Sequence, residues 1–131
     1  MIGIDTNILV RLLTRDDEGQ FQKAVVLIDL LSDDEPGFIS LVVVTELAWV
    51  LQYVYQTEKP DMLAMLHQLI RTRTFSFQNT EVILLALLRY EKTLAEFADC
   101  LIVEIARHVR CSAIYTFDRK AAKRTGMRLL S

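Results

Sequence analysis

Apolar positions fall into short runs and helical stripes that alternate along the chain. Ile2 to Ile4 is an apolar run closed by Asp5-Thr6-Asn7, after which Ile8, Leu9, Val10, Leu12 and Leu13 follow. This order predicts a strand, a turn with capping residues and a helix. Over residues 17–32, Phe21, Ala24, Val25, Ile28 and Leu31 recur at helical spacing with acids in the first turn, which predicts an amphipathic helix. Glu35-Pro36-Gly37 interrupts the pattern, Phe38-Ile39 is a brief extended run, and Ser40 caps a helix predicted through Tyr55. Pro60 suits the first turn of a helix running to Ile70. Residues 74–78 alternate polar and aromatic side chains as a strand does, and Asn79 or Thr80 caps an apolar helix through Tyr90. A helix over 97–109, a buried strand over 113–116, a basic helix over 119–125 and a last strand over 127–130, after Gly126, complete the order.

Short apolar strands alternating with helices predict an α/β fold. Its five strands would form one mostly parallel sheet with helices on both faces. The 131 residues, 52% of them hydrophobic and 24% charged, suit a single domain with a sizeable core, spanning 1–131. The longest apolar runs fall short of the roughly 20 residues a bilayer span needs. The first residues do not read as a secretory signal, because Asp5 interrupts them, so a cytoplasmic protein without a membrane partner is expected. Cys100 and Cys111 form no metal-type pair and no disulfide framework, and both read as buried small hydrophobes.

The formal charge of −2 hides an asymmetry. Residues 1–66 carry 4 basic and 11 acidic side chains, whereas residues 67–131 carry 11 basic and 6 acidic. Such a division hints at a polyanion-facing surface, although solvated helices would look the same.

Most acids lie in polar surroundings, but four do not. Asp5 separates an apolar strand from an apolar helix, and Glu46 lies in the apolar stretch 41–51. Asp99 is flanked by Phe97-Ala98 and Cys100-Leu101-Ile102-Val103, and Asp118 follows the strand over 113–116 and Phe117. Each is expected to be partly desolvated. In a parallel sheet, Asp5 and Asp118 fall at carboxyl ends of strands, where ligands bind. Glu46 and Asp99, near the starts of their helices, are expected at the same edge. Crowded carboxylates raise one another's pKa unless a cation intervenes, and an all-oxygen donor set suits Mg²⁺ or Mn²⁺. His67 and His108 offer no ligand spacing. Taken singly, Asp5, Asp99 and Asp118 could each cap a helix, and Glu46 could pair with a buried arginine.

These residues resemble the PIN-domain family, and within it the VapC-type toxin ribonucleases of toxin–antitoxin pairs. The matching pieces are Ile2-Gly3-Ile4-Asp5-Thr6-Asn7, Ser40 with Glu46-Leu47, Phe97-Ala98-Asp99-Cys100-Leu101-Ile102, and Thr116-Phe117-Asp118. The resemblance covers essentially the whole chain. It implies a five-stranded parallel sheet and Mg²⁺- or Mn²⁺-dependent endonucleolytic cleavage of RNA, with one or two ions, leaving a 5′-phosphate and a 3′-hydroxyl. Asp5, Glu46, Asp99 and Asp118 would be the catalytic, metal-holding quartet, and Thr6, Asn7 and Thr116 its polar helpers. Glu96, one turn before Asp99, reads as a solvated helix-start acid that could face the same pocket. The implied partners are RNA and an antitoxin whose arginine enters the acidic pocket.

Arg119, Lys120, Lys123 and Arg124 follow Asp118 directly, and Arg11 and Arg15 follow Asp5; all six are candidates for gripping substrate phosphates. The helix over 41–55 is apolar nearly all round, which suggests a homodimer or antitoxin contact unless neighbouring helices cover it. Two other readings compete: a non-catalytic PIN-like scaffold whose acidic pocket takes a partner arginine, and an aspartyl-phosphate phosphatase or receiver domain. The second lacks its usual paired acid, because position 7 is Asn7.

Overall fold

A computed structural model describes residues 1–130, which form seven helices and five short strands. The chain condenses into two compact units that meet at the boundary between Gln78 and Asn79 in sequence. The first contains β1 (Ile2–Gly3), α1 (Thr6–Thr14), α2 (Glu18–Asp29), β2 (Gly37–Ile39), α3 (Leu41–Tyr53), α4 (Lys59–Ile70) and β3 (Phe75–Phe77). The second contains α5 (Thr80–Lys92), α6 (Phe97–His108), β4 (Tyr115–Thr116), α7 (Arg119–Thr125) and β5 (Arg128–Leu129).

Helix starts follow from local chemistry. Asp17 accepts from the Gln20 N–H at 3.0 Å, Ser40 from the Val43 N–H at 3.2 Å, and Asn79 from the Val82 N–H at 3.1 Å. Each satisfies a donor that the first turn of a helix leaves free. α4 instead begins with Pro60 in its first turn, where the missing N–H costs nothing. α7 ends on Gly126 at φ 85°, a left-handed conformation that suits a residue without Cβ.

In the first unit the strands form a parallel sheet in the order β1-β2-β3, with Ile2 opposite Gly37 and Gly37 opposite Phe75. Gly37 is the tight point of this sheet: a Cβ there would lie 2.8 Å from Leu31 Cδ1 and 3.1 Å from Ile4 Cγ1. β3 is tied to the start of α3 by Gln78, whose N–H donates to Ile39 O and whose side-chain oxygen accepts from the Leu41 N–H, both at 2.9 Å. Leu9, Ile39, Leu47, Leu51 and Met62 are fully buried. In the second unit α5 lies against α6, with Tyr90 edge-on to Phe97 at 5.8 Å, and β4 pairs in parallel with β5.

The α/β class and the parallel pairing agree with the sequence pattern, but the strands do not form one five-stranded sheet. They form a three-stranded and a two-stranded sheet. At two or three residues each, they offer few ladder bonds, and these are spent on the nearest parallel partner. The expected buried strand over 113–116 reduces to Tyr115–Thr116, with Tyr115 exposed. Cys100 is buried as expected, whereas Cys111, beyond the end of α6, is exposed. α3 is covered within the first unit on one face only: Val44, Leu47, Ala48 and Leu51 are buried, while Val42, Trp49 and Tyr53, with Val54 at its C-cap, face solvent. Among the described residues, no helix is long and apolar enough to cross a membrane.

Candidate active site

Asp5 follows β1 after Ile4, whose N–H donates to Phe38 O at 2.9 Å and so fixes the strand end. It is the N-cap of α1, with Oδ1 accepting from the Thr6 N–H at 2.7 Å. One carboxylate oxygen thus holds the side chain in place, and the cap does not use Oδ2. Beside it the Thr6 hydroxyl is buried with no hydrogen-bond partner, a cost of about 1–3 kcal/mol that a ligand or water would relieve. Asn7 is exposed and lines, with Arg11, Gln20 and Lys23, a cavity of about 300 Å³ between α1 and α2. Glu46 is exposed in the second turn of α3, the helix that leaves the carboxyl end of β2.

The second unit holds the other two acids. Asp118 is the N-cap of α7: Oδ1 accepts from the Lys120 N–H at 2.9 Å and the Ala121 N–H at 3.1 Å, so its Oδ2 is likewise unused by the cap. Thr116 supports it, because the Asp118 N–H donates to the Thr116 hydroxyl at 3.0 Å. Asp99 is half-buried in the first turn of α6. Burial pushes its carboxyl above the usual range, and the negative charges of Glu96 and Asp118 add to the shift. Glu96, read as a solvated acid, is exposed at the N-cap of α6, yet its charge reaches Asp99.

Desolvation of all four acids is therefore corrected: only Asp99 is partly buried, and Asp5, Glu46 and Asp118 are exposed. Strand-end and helix-start positions open onto solvent here, because flanking apolar residues in a sequence need not be spatial neighbours of the side chain between them. Asp5 and Asp118 cap helices as well as stand at strand ends, and in each the cap uses one carboxylate oxygen, Oδ1.

The basic candidates separate into two groups. Arg11 is held by Asp16 at 3.0 Å, by Gln20 and by the Tyr55 hydroxyl, and Arg15 pairs with Glu18 at 2.9 Å while lying 4.2 Å above the Phe21 ring. Glu18, held by Arg15 and Gln22, has its carboxyl lowered to about 2. Arg119, Lys120 and Lys123 are exposed on α7, and Arg124 donates to Leu94 O at 3.2 Å. His67 and His108 lie in the last turns of α4 and α6. Glu104, which sequence reasoning passed over, is buried and receives Arg89 at 2.9 Å. The flanking run of Leu101, Ile102, Val103 and Ile105 was the signal available for it.

The donor type suits a hard divalent cation, since each acid offers only oxygen; in the second unit Asp99 stands against two like charges, and in the first the Thr6 hydroxyl is buried and unmet. The carboxylates do not form a ready coordination cage, since among the described residues no group of three or more His, Cys, Asp or Glu side chains is arranged to hold a metal ion.

Each unit is an α/β arrangement of parallel strands, and in each an acid, Asp5 or Asp118, follows a strand at its carboxyl end. The family model described as the PIN domain matches residues 2–126, and the chain belongs to the PIN-domain family, whose members are typically nucleases. No curated protein matches the chain.

Proposed function

We propose that this protein is a Mg²⁺- or Mn²⁺-dependent endoribonuclease and the toxin of a VapBC-type pair. The observation that carries the reading is Asp99 in a PIN domain, a half-buried carboxyl raised first by burial and then by the charges of Glu96 and Asp118. Like charges added to a burial cost are unfavourable without a counter-ion, and a nuclease has a use for one. Asp5, Glu46, Asp99 and Asp118 would hold one or two ions. Bound there, Mg²⁺ or Mn²⁺ supplies charge neutralisation at the phosphate and a more acidic water.

The chain's own residues supply the rest. The Thr6 N–H orients Asp5 through Oδ1, and the α7 amides orient Asp118 in the same way, so neither carboxylate has to be ordered when RNA arrives. Arg119, Lys120 and Lys123 offer unshared positive charge next to Asp118 in sequence for the RNA backbone. Arg11 and Arg15 support folding of the 14–18 turn through the partners described above. The reading places the protein in the cytoplasm, with a cognate antitoxin and a second copy of the chain as partners; the exposed Val42, Trp49 and Tyr53 on α3, with Val54 at its C-cap, support such contacts.

The test is cleavage of a total-RNA pool by purified, antitoxin-free protein, with and without chelator, beside Asp99→Asn. Metal-dependent fragments with 5′-phosphate ends that disappear in the variant are expected. Cleavage that survives the chelator or the substitution overturns the assignment, and inactivity of folded, metal-supplied protein favours a scaffold whose acids bind an arginine.

A further inference from the structure

A cavity of about 500 Å³ opens in the second unit, between the end of α6 and the amino-terminal edge of the β4-β5 pair. Arg107 and Arg128 line it from different elements, Ser112 and the exposed Cys111 line it as well, and Val103 and Met127 belong to the small core cluster at its wall. Asp118 follows β4 at its opposite, carboxyl end, so this cavity is separate from the acidic site.

Its charge is unbalanced. Arg128 has no ion pair among the described residues. Arg107 reaches only Glu104, at 4.0 Å, and that carboxylate is already held by Arg89 at 2.9 Å. No acid lines the cavity. A helix terminus explains a basic residue at Arg107, which complements the α6 dipole. It does not explain Arg128, which comes from β5 and faces the same space. Two arginines from different elements, and a serine on the same lining, in a volume within the range of small-ligand sites suit a phosphate group.

We propose that this cavity binds a phosphate group through Arg107 and Arg128, presented either by a free nucleotide or by the bound RNA strand. The RNA source rests on the nuclease reading; the free-nucleotide source does not. Either way the site lies at the strand edge opposite Asp118 and holds the ligand without cutting it.

The test uses the full chain carrying Asp99→Asn, so that RNA survives the measurement, with Arg107→Gln/Arg128→Gln added and Arg110→Gln as a control of similar charge outside the cavity. Ser112→Asp, an exposed position, is a second variant in case the double substitution unfolds. AMP is titrated by calorimetry, and a single-stranded RNA oligonucleotide by fluorescence anisotropy over a series of salt concentrations. A free-nucleotide site shows AMP binding at least about tenfold weaker in the double variant and in Ser112→Asp, and within about twofold of the parent in Arg110→Gln. An RNA site shows instead a salt slope reduced by about 1.4 in the double variant, roughly 0.7 for each lost contact to a single strand. If AMP and RNA bind the cavity variants as they bind the Arg110→Gln control, the proposal is wrong. RNA cleavage by the protein with Asp99 intact, run alongside, tells failure of this site from failure of the nuclease reading.

Discussion

Glu104→Ala would remove the carboxylate that neutralises Arg89 inside the second unit. Arg89 Nε and Nη2 each lie 2.9 Å from Glu104 Oε1, and Nη1 reaches Thr125 O at 3.4 Å. Only 22% of the Arg89 side chain and 8% of the Glu104 side chain are exposed. At an effective dielectric of about 20, charges at that separation attract by about 6 kcal/mol, most of which offsets the cost of taking both out of water. Deleting one partner exposes that cost, because the guanidinium stays behind, and the expected loss is about 3 kcal/mol. Arg107, 4.0 Å from Oε2 and 68% exposed, adds little. The gain in helix propensity from alanine is only a few tenths of a kcal/mol. With a urea slope of about 2 kcal/mol/M, the midpoint falls by about 1.5 M in far-ultraviolet circular dichroism. Arg89→Met/Glu104→Ala removes both charges and should lie closer to wild type than the two single losses added together. A loss below about 1 kcal/mol for Glu104→Ala, or strictly additive single changes, would refute the reasoning.

Three other outcomes follow from the same physics. Asp99 has a raised carboxyl in the folded state, so its ionised form costs stability above that pKa, and the cost fades as pH falls through it. Asp99→Asn in metal-free buffer should therefore be more stable at neutral pH, by about 0.3 kcal/mol from the Glu96 pair alone, with the gap to wild type closing in acid; a less stable variant at neutral pH would contradict this. Gly37→Ala should cost about 1–3 kcal/mol, because the new methyl meets Leu31 and Ile4 in a packed sheet; thermal melting of this variant beside Gly3→Ala, where a Cβ has nothing within 4 Å, checks it. In a native thiol assay one equivalent, Cys111, should react at once and Cys100 only on unfolding; two fast thiols would show that Cys100 is not protected.

Helix starts were legible in the sequence because they are decided within four residues. Ser40, Asn79 and Pro60 act where their spacing places them, whereas Asp17, read as the first residue of its helix, is the N-cap before it. Strand pairing was not, because two-residue strands such as β1 and β4 carry too little pattern to name their partners. At the candidate site, the positions of Asp5 and Asp118 after strands could be read directly, since each is adjacent in the chain to the element that places it. Their exposure could not, because it depends on which side chains surround the strand end. The same distinction explains Arg11 and Glu104. Arg11 is engaged by Tyr55, 44 residues away, and Glu104 by Arg89, 15 residues away, and neither pairing leaves a local trace.

Trp49, the only tryptophan, is 56% exposed on α3 and leans on Tyr53 with ring centroids 5.5 Å apart. An indole already in water emits in the folded protein much as it does in the unfolded chain. Intrinsic fluorescence is thus a poor reporter of denaturation in this molecule and a selective one for the outer face of α3. A blue shift of that emission, at constant circular dichroism, marks the moment another surface replaces solvent there.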